Sequence, residues 1–182
     1  MRKLFIFFVL LVVAGAVTSC LEYKEPQYSP TMSSSPFFVN PVFDGDSLIG
    51  AQDTLDLVYD AQDGSYEMDT VYLGDTVMFA STFYTYTSNL ISIEIKWERD
   101  LMQLWYPLVS SITDVLTDKT DIAAGKLYFN PGYNRVSFPI YFTPTVRGGM
   151  TLKMSVESDS EFPVSSVLIY IPATERPVET ED

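Results

Sequence analysis

Ile91, Ile93, Ile95 and Trp97 alternate with Ser92, Glu94, Lys96 and Glu98, and this period of two constrains the fold more than any other stretch does. Successive side chains of an extended strand point to opposite faces, so the alternation marks a strand with one face in a core and one in water. A sheet with a solvated face is characteristically antiparallel, because parallel sheets carry helices over both faces. The same period recurs in Thr76–Tyr84, where Val77, Phe79, Ser81 and Phe83 share a face. It recurs again in Thr151–Glu157, where Leu152, Met154 and Val156 do so. Shorter strands are expected at Pro36–Phe43, an edge-like segment bounded by prolines, and at Leu55–Tyr59, Thr70–Leu73, Lys126–Phe129, Val136–Thr143 and Val167–Ile171. Pro139 has no ladder hydrogen bond to donate and so requires an edge or a bulge. Gly74-Asp75, Asn130–Asn134, Gly148-Gly149 and Ser158–Ser160 supply the turns.

One segment breaks the pattern. Between Asp100 and Asp118, Leu101, Leu104, Trp105, Leu108, Ile112, Val115 and Leu116 fall at roughly helical spacing. Pro107 interrupts them, so two short helical pieces are expected, the second beginning near Ser110 or Ser111. Seven or more short strands with a Trp on the sharpest of them resemble an immunoglobulin-like antiparallel β-sandwich, here all-β apart from the short helical crossover. The disulfide of antibody domains is absent. Val71–Ile171 is similar to the Ig-like domains of small lipoproteins of gut Bacteroidetes. The likeness rests on Gly-Asp-Thr-Val at 74–77, the strand ending in Trp97, the crossover, Gly-Lys-Leu-Tyr-Phe at 125–129 and Ser-Asp-Ser at 158–160.

The N-terminus carries a second signal. Arg2 and Lys3 precede an apolar run from Leu4 to Val13, then Ala14, Gly15 and Ala16, and the chain's single cysteine, Cys20, closes Val17-Thr18-Ser19-Cys20. That run is shorter than the ~18 residues a membrane span needs, and its flanks are those of a secretory signal. The last four residues resemble a bacterial lipobox. The resemblance implies cleavage before Cys20, acylation of Cys20, and attachment to a membrane through two or three acyl chains, enough for stable anchoring. A lone thiol in an oxidising exported compartment would otherwise be an oddity. Leu21 stands where the enterobacterial inner-membrane retention signal has Asp, which implies an outer-membrane destination. Glu22 and Glu25 resemble the acidic surface-export signals of Bacteroidetes lipoproteins, with Lys24 interrupting them. The expected organisation is a signal peptide at 1–19, a Pro- and Ser-rich lipidated tether at 20–35, the sandwich domain at 36–175, and a polar tail at 176–182.

Charge and composition exclude several functions. The chain has 11 basic and 24 acidic residues; cleavage before Cys20 removes Arg2 and Lys3, leaving 9 basic residues and a net charge of −15. Nucleic acid is therefore not an expected partner. With no histidine in the chain, Ser-His-Asp and Cys-His catalysis and ordinary zinc sites are ruled out. Asp53, Asp56, Asp60, Asp63 and Glu67 could supply a glycosidase-like carboxylate pair, but no spacing specifies one. Asp44-Gly45-Asp46 and Asp60–Gly64 offer oxygen ligands for calcium, yet neither fits the EF-hand register. No catalytic residue, metal site or cofactor is assigned, and no enzymatic activity is expected.

Aromatic side chains remain as candidate ligand-binding groups: Tyr84 and Tyr86 at the end of one strand, and Trp105 and Tyr106 in the crossover. Adjacent residues of a short helix project about 100° apart, so one of Trp105 and Tyr106 should reach solvent. Trp97 and Trp105, each on the apolar face of its segment, are expected in the core. The function this supports is a membrane-anchored, non-catalytic binding or assembly module, with an envelope protein as partner; the alternative is a carbohydrate-binding accessory protein with a glycan as ligand.

Overall fold

The computed structural model describes residues 28–177. In chain order its strands are β1 (Thr31–Ser34), β2 (Phe37–Val39), β3 (Val42–Asp44), β4 (Ser47–Gly50), β5 (Asp53–Leu55), β6 (Leu57–Asp60), β7 (Ser65–Met68), β8 (Val71–Tyr72), β9 (Val77–Tyr84), β10 (Leu90–Trp97), β11 (Met102–Trp105), β12 (Lys126–Tyr128), β13 (Arg135–Pro144), β14 (Gly148–Ser158) and β15 (Val164–Thr174), with one helical turn, α1 (Ser110–Thr113), before β12. The first sheet has the order β11-β13-β9-β2-β5, with β1 beside the other half of β9. The second has the order β12-β10-β14-β15-β7-β6, with β8 beside the end of β15. From β9 to β14 the chain changes sheet at every strand, so its apolar faces meet in one layer and the fold is an immunoglobulin-like sandwich. Pairing is antiparallel except where β15 runs parallel to β7 and β8.

The core lies where the alternating faces meet. Val77, Phe79 and Phe83 of β9, with Phe138, Ile140 and Phe142 of β13, face Ile93 and Ile95 of β10, Leu152 and Val156 of β14, and Ile169 and Ile171 of β15. Full burial of such a side chain stabilises the fold by roughly 1.5–3 kcal/mol. Ser81 shares the inward face, fully buried, its hydroxyl directed at the Met154 sulfur 3.8 Å away.

Several boundaries move. Ile91 is exposed, and Leu90 is buried in its place. The cause is a bulge: Leu90 pairs with Ser158 and Ser92 with Glu157, leaving Ile91 as an extra residue. Residues 102–105 form a strand on β13, not a helix. Pro107 leaves too few residues before it to nucleate a helix, and the free edge of β13 offers a ladder instead. The crossover keeps only the single turn α1. Leu55–Tyr59 divides at Asp56, whose backbone bonds with Asp69, so that β5 joins one sheet and β6 the other. Residues 31–34, expected in the tether, pair along β9; the domain therefore includes them. Arg176, expected in the tail, is bound to the domain through Asp75. The expected signal peptide, Cys20 and residues 178–182 lie outside the described residues.

Pro139 meets its requirement. Its partner Ala80 spends its N–H and C=O on Ser35, so the Pro139 nitrogen faces the opposite side of β13. There β11 pairs only from Tyr141 onward, and no ladder bond is lost. Trp97 is half-buried against the core, with the Arg99 guanidinium 4.2 Å above its ring.

Candidate interaction surface at one pole of the sandwich

The outer face of the first sheet carries an apolar row. Trp105 pairs with Tyr141, Tyr141 with Met78, and Met78 with Phe38. Because faces alternate, the core positions Val77, Phe79, Ile140 and Phe142 on either side turn these four outward. Met78 is only 6% exposed yet does not belong to the core cluster; in the ladder it lies between Tyr141 and Phe38. Trp105 stacks on Tyr141, with ring centroids 5.4 Å apart and planes 7° apart, and is itself 43% exposed. Burial in this row pushes the Tyr141 phenol above its ordinary pKa. Four strands spaced by ~4.8 Å make the row about 14 Å long. Gln103 and Thr143 flank it on one side, with the Thr143 and Thr76 hydroxyls hydrogen-bonded at 3.1 Å.

Beyond the same end of the sheet extends a two-stranded arm. Every residue from Val42 to Gly50 is exposed, including Val42, Phe43, Leu48 and Ile49. Phe43 pairs with Leu48 and Asp44 with Ser47. Gly45, at φ +58°, supplies the first central residue of the two-residue turn, a position that suits glycine in a hairpin. A two-stranded ribbon is marginally stable by itself, and its base is correspondingly held. Asn40, at φ +46°, donates from Nδ2 to Gln52 Oε1 at 2.7 Å and to Asp75 Oδ1 at 2.9 Å. Its Oδ1 accepts the Thr76 N–H at 2.9 Å. The buried Asp75 carboxylate also receives Arg176 Nη2, 2.8 Å from each oxygen, and that guanidinium lies 4.9 Å over the Tyr72 ring.

The candidate aromatics divide between the two ends of the sheet. Thr31 pairs with Tyr84 and Val39 with Val77. The chain therefore arrives from its N-terminus beside Tyr84 and reaches the arm at the other end of β9, about 24 Å away. Tyr84 and Tyr86 form an edge-to-face pair at 5.5 Å, which Tyr28 joins at the same distance from Tyr86. They belong to the arrival end and do not share a surface with Trp105. Tyr106 is no surface group: it is 7% exposed, packs on Phe138, and donates its hydroxyl to the Ile122 carbonyl. One member of the 105–106 pair does reach solvent, and it is Trp105, expected in the core: strand alternation rather than helical rotation turns it outward. Tyr141, Met78 and Phe38 were legible as outward residues from their inward neighbours, but composition gave no reason to connect them.

The acidic loops are occupied with themselves. Asp60 Oδ1 accepts the Gln62 N–H at 2.8 Å, and Asp63 Oδ1 accepts both the N–H and the hydroxyl of Ser65. Those bonds from Ser65 hold the Asp63 carboxyl below its ordinary pKa. Among the described residues no group of three or more acids or other ligating side chains is gathered as a metal site. No helix among them is long and apolar enough to cross a membrane.

No protein-family model matches the chain, and no curated protein does. Solved structures share parts of the architecture at low similarity. A family 123 glycoside hydrolase from Clostridium perfringens aligns at 9% identity and a TM-score of 0.37, over 60% of this chain and 22% of that one. The ASH/PapD-like domain 7 of human CEP192 aligns at 10% and 0.35, over 75% of this chain and all of that one. AggA, the major subunit of aggregative adherence fimbriae type I from Escherichia coli, aligns at 11% and 0.34, over 82% and 100%.

Proposed function

We propose that the chain is a non-catalytic binding or assembly module of a bacterial envelope, anchored through lipid on Cys20 and presenting the pole that carries the arm and the Trp105–Phe38 row. The observation that carries this reading is the exposed apolar surface at this pole, made by Trp105 at the edge of the row and by the arm. Four large side chains are aligned across four strands on the outer face of a sheet, at the end opposite to where the chain arrives; Trp105 is exposed, Tyr141 and Phe38 are partly so, and Met78 between them is buried. An extended apolar surface of this kind marks an interaction site. Single exposed apolar residues are ordinary, but here Trp105 and, on the arm, Val42, Phe43, Leu48 and Ile49 are all exposed at one end of the sheet.

A second reading has its own support. Stacked Trp105 and Tyr141 rings beside Gln103, Thr143 and Thr76 combine a flat apolar surface with amide and hydroxyl groups. A sugar ring presents the complementary combination, and the ligand would then be a glycan.

Two variants test the proposal. Cys20→Ser is expected to abolish membrane attachment, leaving the protein unprocessed or soluble on fractionation; unchanged membrane partition would overturn the anchoring. Trp105→Ala combined with Tyr141→Ala is expected to leave the fold intact and abolish binding in a pull-down from envelope extract. Loss on a glycan array instead would favour the carbohydrate reading. Unchanged binding in both assays would remove the row from the function.

A further inference from the structure

A gap in the packing opens between the two sheets along one side of the sandwich. There β1 borders the first sheet beside β9, and β15, β7 and β6 end the second. Between them lies a cleft of about 140 Å³, walled mainly by Met32, Leu57, Met154 and Ile169, with Ser34 and Ser81 in its lining. Its origin lies in the two serines. Ser81 sits on an inward face that otherwise carries Val77, Phe79 and Phe83, and Ser34 is its direct partner across the ladder. Register therefore turns Ser34 inward as well, yet it is exposed, because the cleft is open in front of it. Ser81 is fully buried, and the one partner of its hydroxyl among the described residues is the Met154 sulfur, 3.8 Å away and a weak acceptor. A close-packed interior leaves few gaps of this size, and each weakens the fold.

We propose that this cleft is a binding site for a small neutral aromatic alcohol, of which phenol is the simplest. Three features of the lining select that class. No charged side chain lines the cleft, so an ionic ligand would lose water without gaining a counter-charge. Met32 on the first sheet and Met154 on the second bring thioether sulfurs to both walls, and sulfur packs favourably against aromatic rings. Ser34 and Ser81 set two hydroxyls opposite each other. Ser81 gains a better acceptor than sulfur when it donates to a ligand oxygen, and the ligand's own O–H can be donated to Ser34. Water suits the cleft poorly. About four or five molecules, at ~30 Å³ each, would fill it, and each needs about two to four polar partners that the methionine, leucine and isoleucine walls do not supply. An apolar cavity of ~150 Å³ engineered into another protein stays dry and binds benzene; this cleft adds hydroxyls to such a wall. It lies along the half of β9 that β1 borders, whereas the arm leaves from the other half, so the proposal stands independently of the reading of the pole.

The test titrates phenol and toluene into the full-length protein by calorimetry, in one detergent for every variant so that partition into micelles cancels. The wild type is expected to bind phenol saturably and at least about tenfold more tightly than toluene, because the analogue leaves the serine hydroxyls without their partner. Ser81→Ala is expected to remove that preference while toluene still binds. Ser34→Leu, which fills the cleft, is expected to abolish binding of both. Ser34 is exposed, so an unchanged thermal melt verifies that this variant is folded. Where Ser81→Ala lowers the melt, Ser34→Ala makes the same comparison at the exposed hydroxyl. A wild type without saturable phenol binding, equal affinity for phenol and toluene, or phenol binding that survives Ser34→Leu each overturns the proposal.

Discussion

Gly125 shows how tightly single positions are specified. It stands at φ +78°, and a Cβ there would land on the Ile95 carbonyl oxygen and press on the Trp97 ring. Its own carbonyl accepts the Ile95 N–H at 2.8 Å. Gly125→Ala is therefore expected to cost at least ~2 kcal/mol, combining left-handed strain with a backbone clash; a thermal melt checks it. Tyr106 makes a different prediction. Burial pushes its phenol up to about 12, because the ionised ring would lose water without gaining a partner cation sufficient to replace it. The folded pKa lies above the unfolded one, so this group's contribution to stability is complete below pH ~10 and is lost as pH rises toward 12. Absorbance at 295 nm during alkaline titration should show a latest-ionising tyrosine component, and Tyr106→Phe should remove it. Trp97 is less demanding than its place in the alternation implied. It is partly exposed beneath Arg99, and Trp97→Ala should cost less than the ~3–5 kcal/mol of a fully buried indole.

Among the elements, β10 gives the sharpest contrast. The bulge buries Leu90 and exposes Ile91, so Leu90→Ala should cost ~2–5 kcal/mol and Ile91→Ala under ~1 kcal/mol by chemical denaturation. A strict alternation from Ile91 to Trp97 would give the reverse order. The inward faces of β9 and β14 were legible in sequence because the period of two depends only on local backbone geometry. The bulge was not, since Leu90 and Ile91 are both apolar and the choice between them is made by Ser158 and Glu157 on another strand. Residues 101–106 misled for a related reason. Leu101, Leu104, Trp105 and Leu108 fit a helical period, yet Met102, Leu104 and Tyr106 fit a strand equally well, and the edge of β13 decided it. The arm was hidden within an acidic, turn-rich stretch, and nothing in Val42–Gly50 by itself says that all of its residues are exposed.

At the scale of the whole molecule, the sandwich has two unlike poles. One receives the N-terminal segment beside Tyr28, Tyr84 and Tyr86. The other carries the arm, the aromatic row and the clamp of Asn40, Asp75 and Arg176. Which residues belong to which pole depends on pairings as distant in sequence as Phe38 with Met78 and Met78 with Tyr141, and sequence reading had grouped Tyr84 and Trp105 together. The account's central claim is that lipid on Cys20 holds the first pole toward the membrane and leaves the second free to bind. Energy transfer tests it directly. A donor dye is placed at Asp46→Cys or at Tyr86→Cys in the lipidated protein, reconstituted in vesicles with acceptor-labelled headgroups. The two positions are separated by the length of β9 and the arm, roughly 35 Å, so transfer should be strong from position 86 and weak from position 46. Equal transfer from both, or stronger transfer from position 46, would contradict the account.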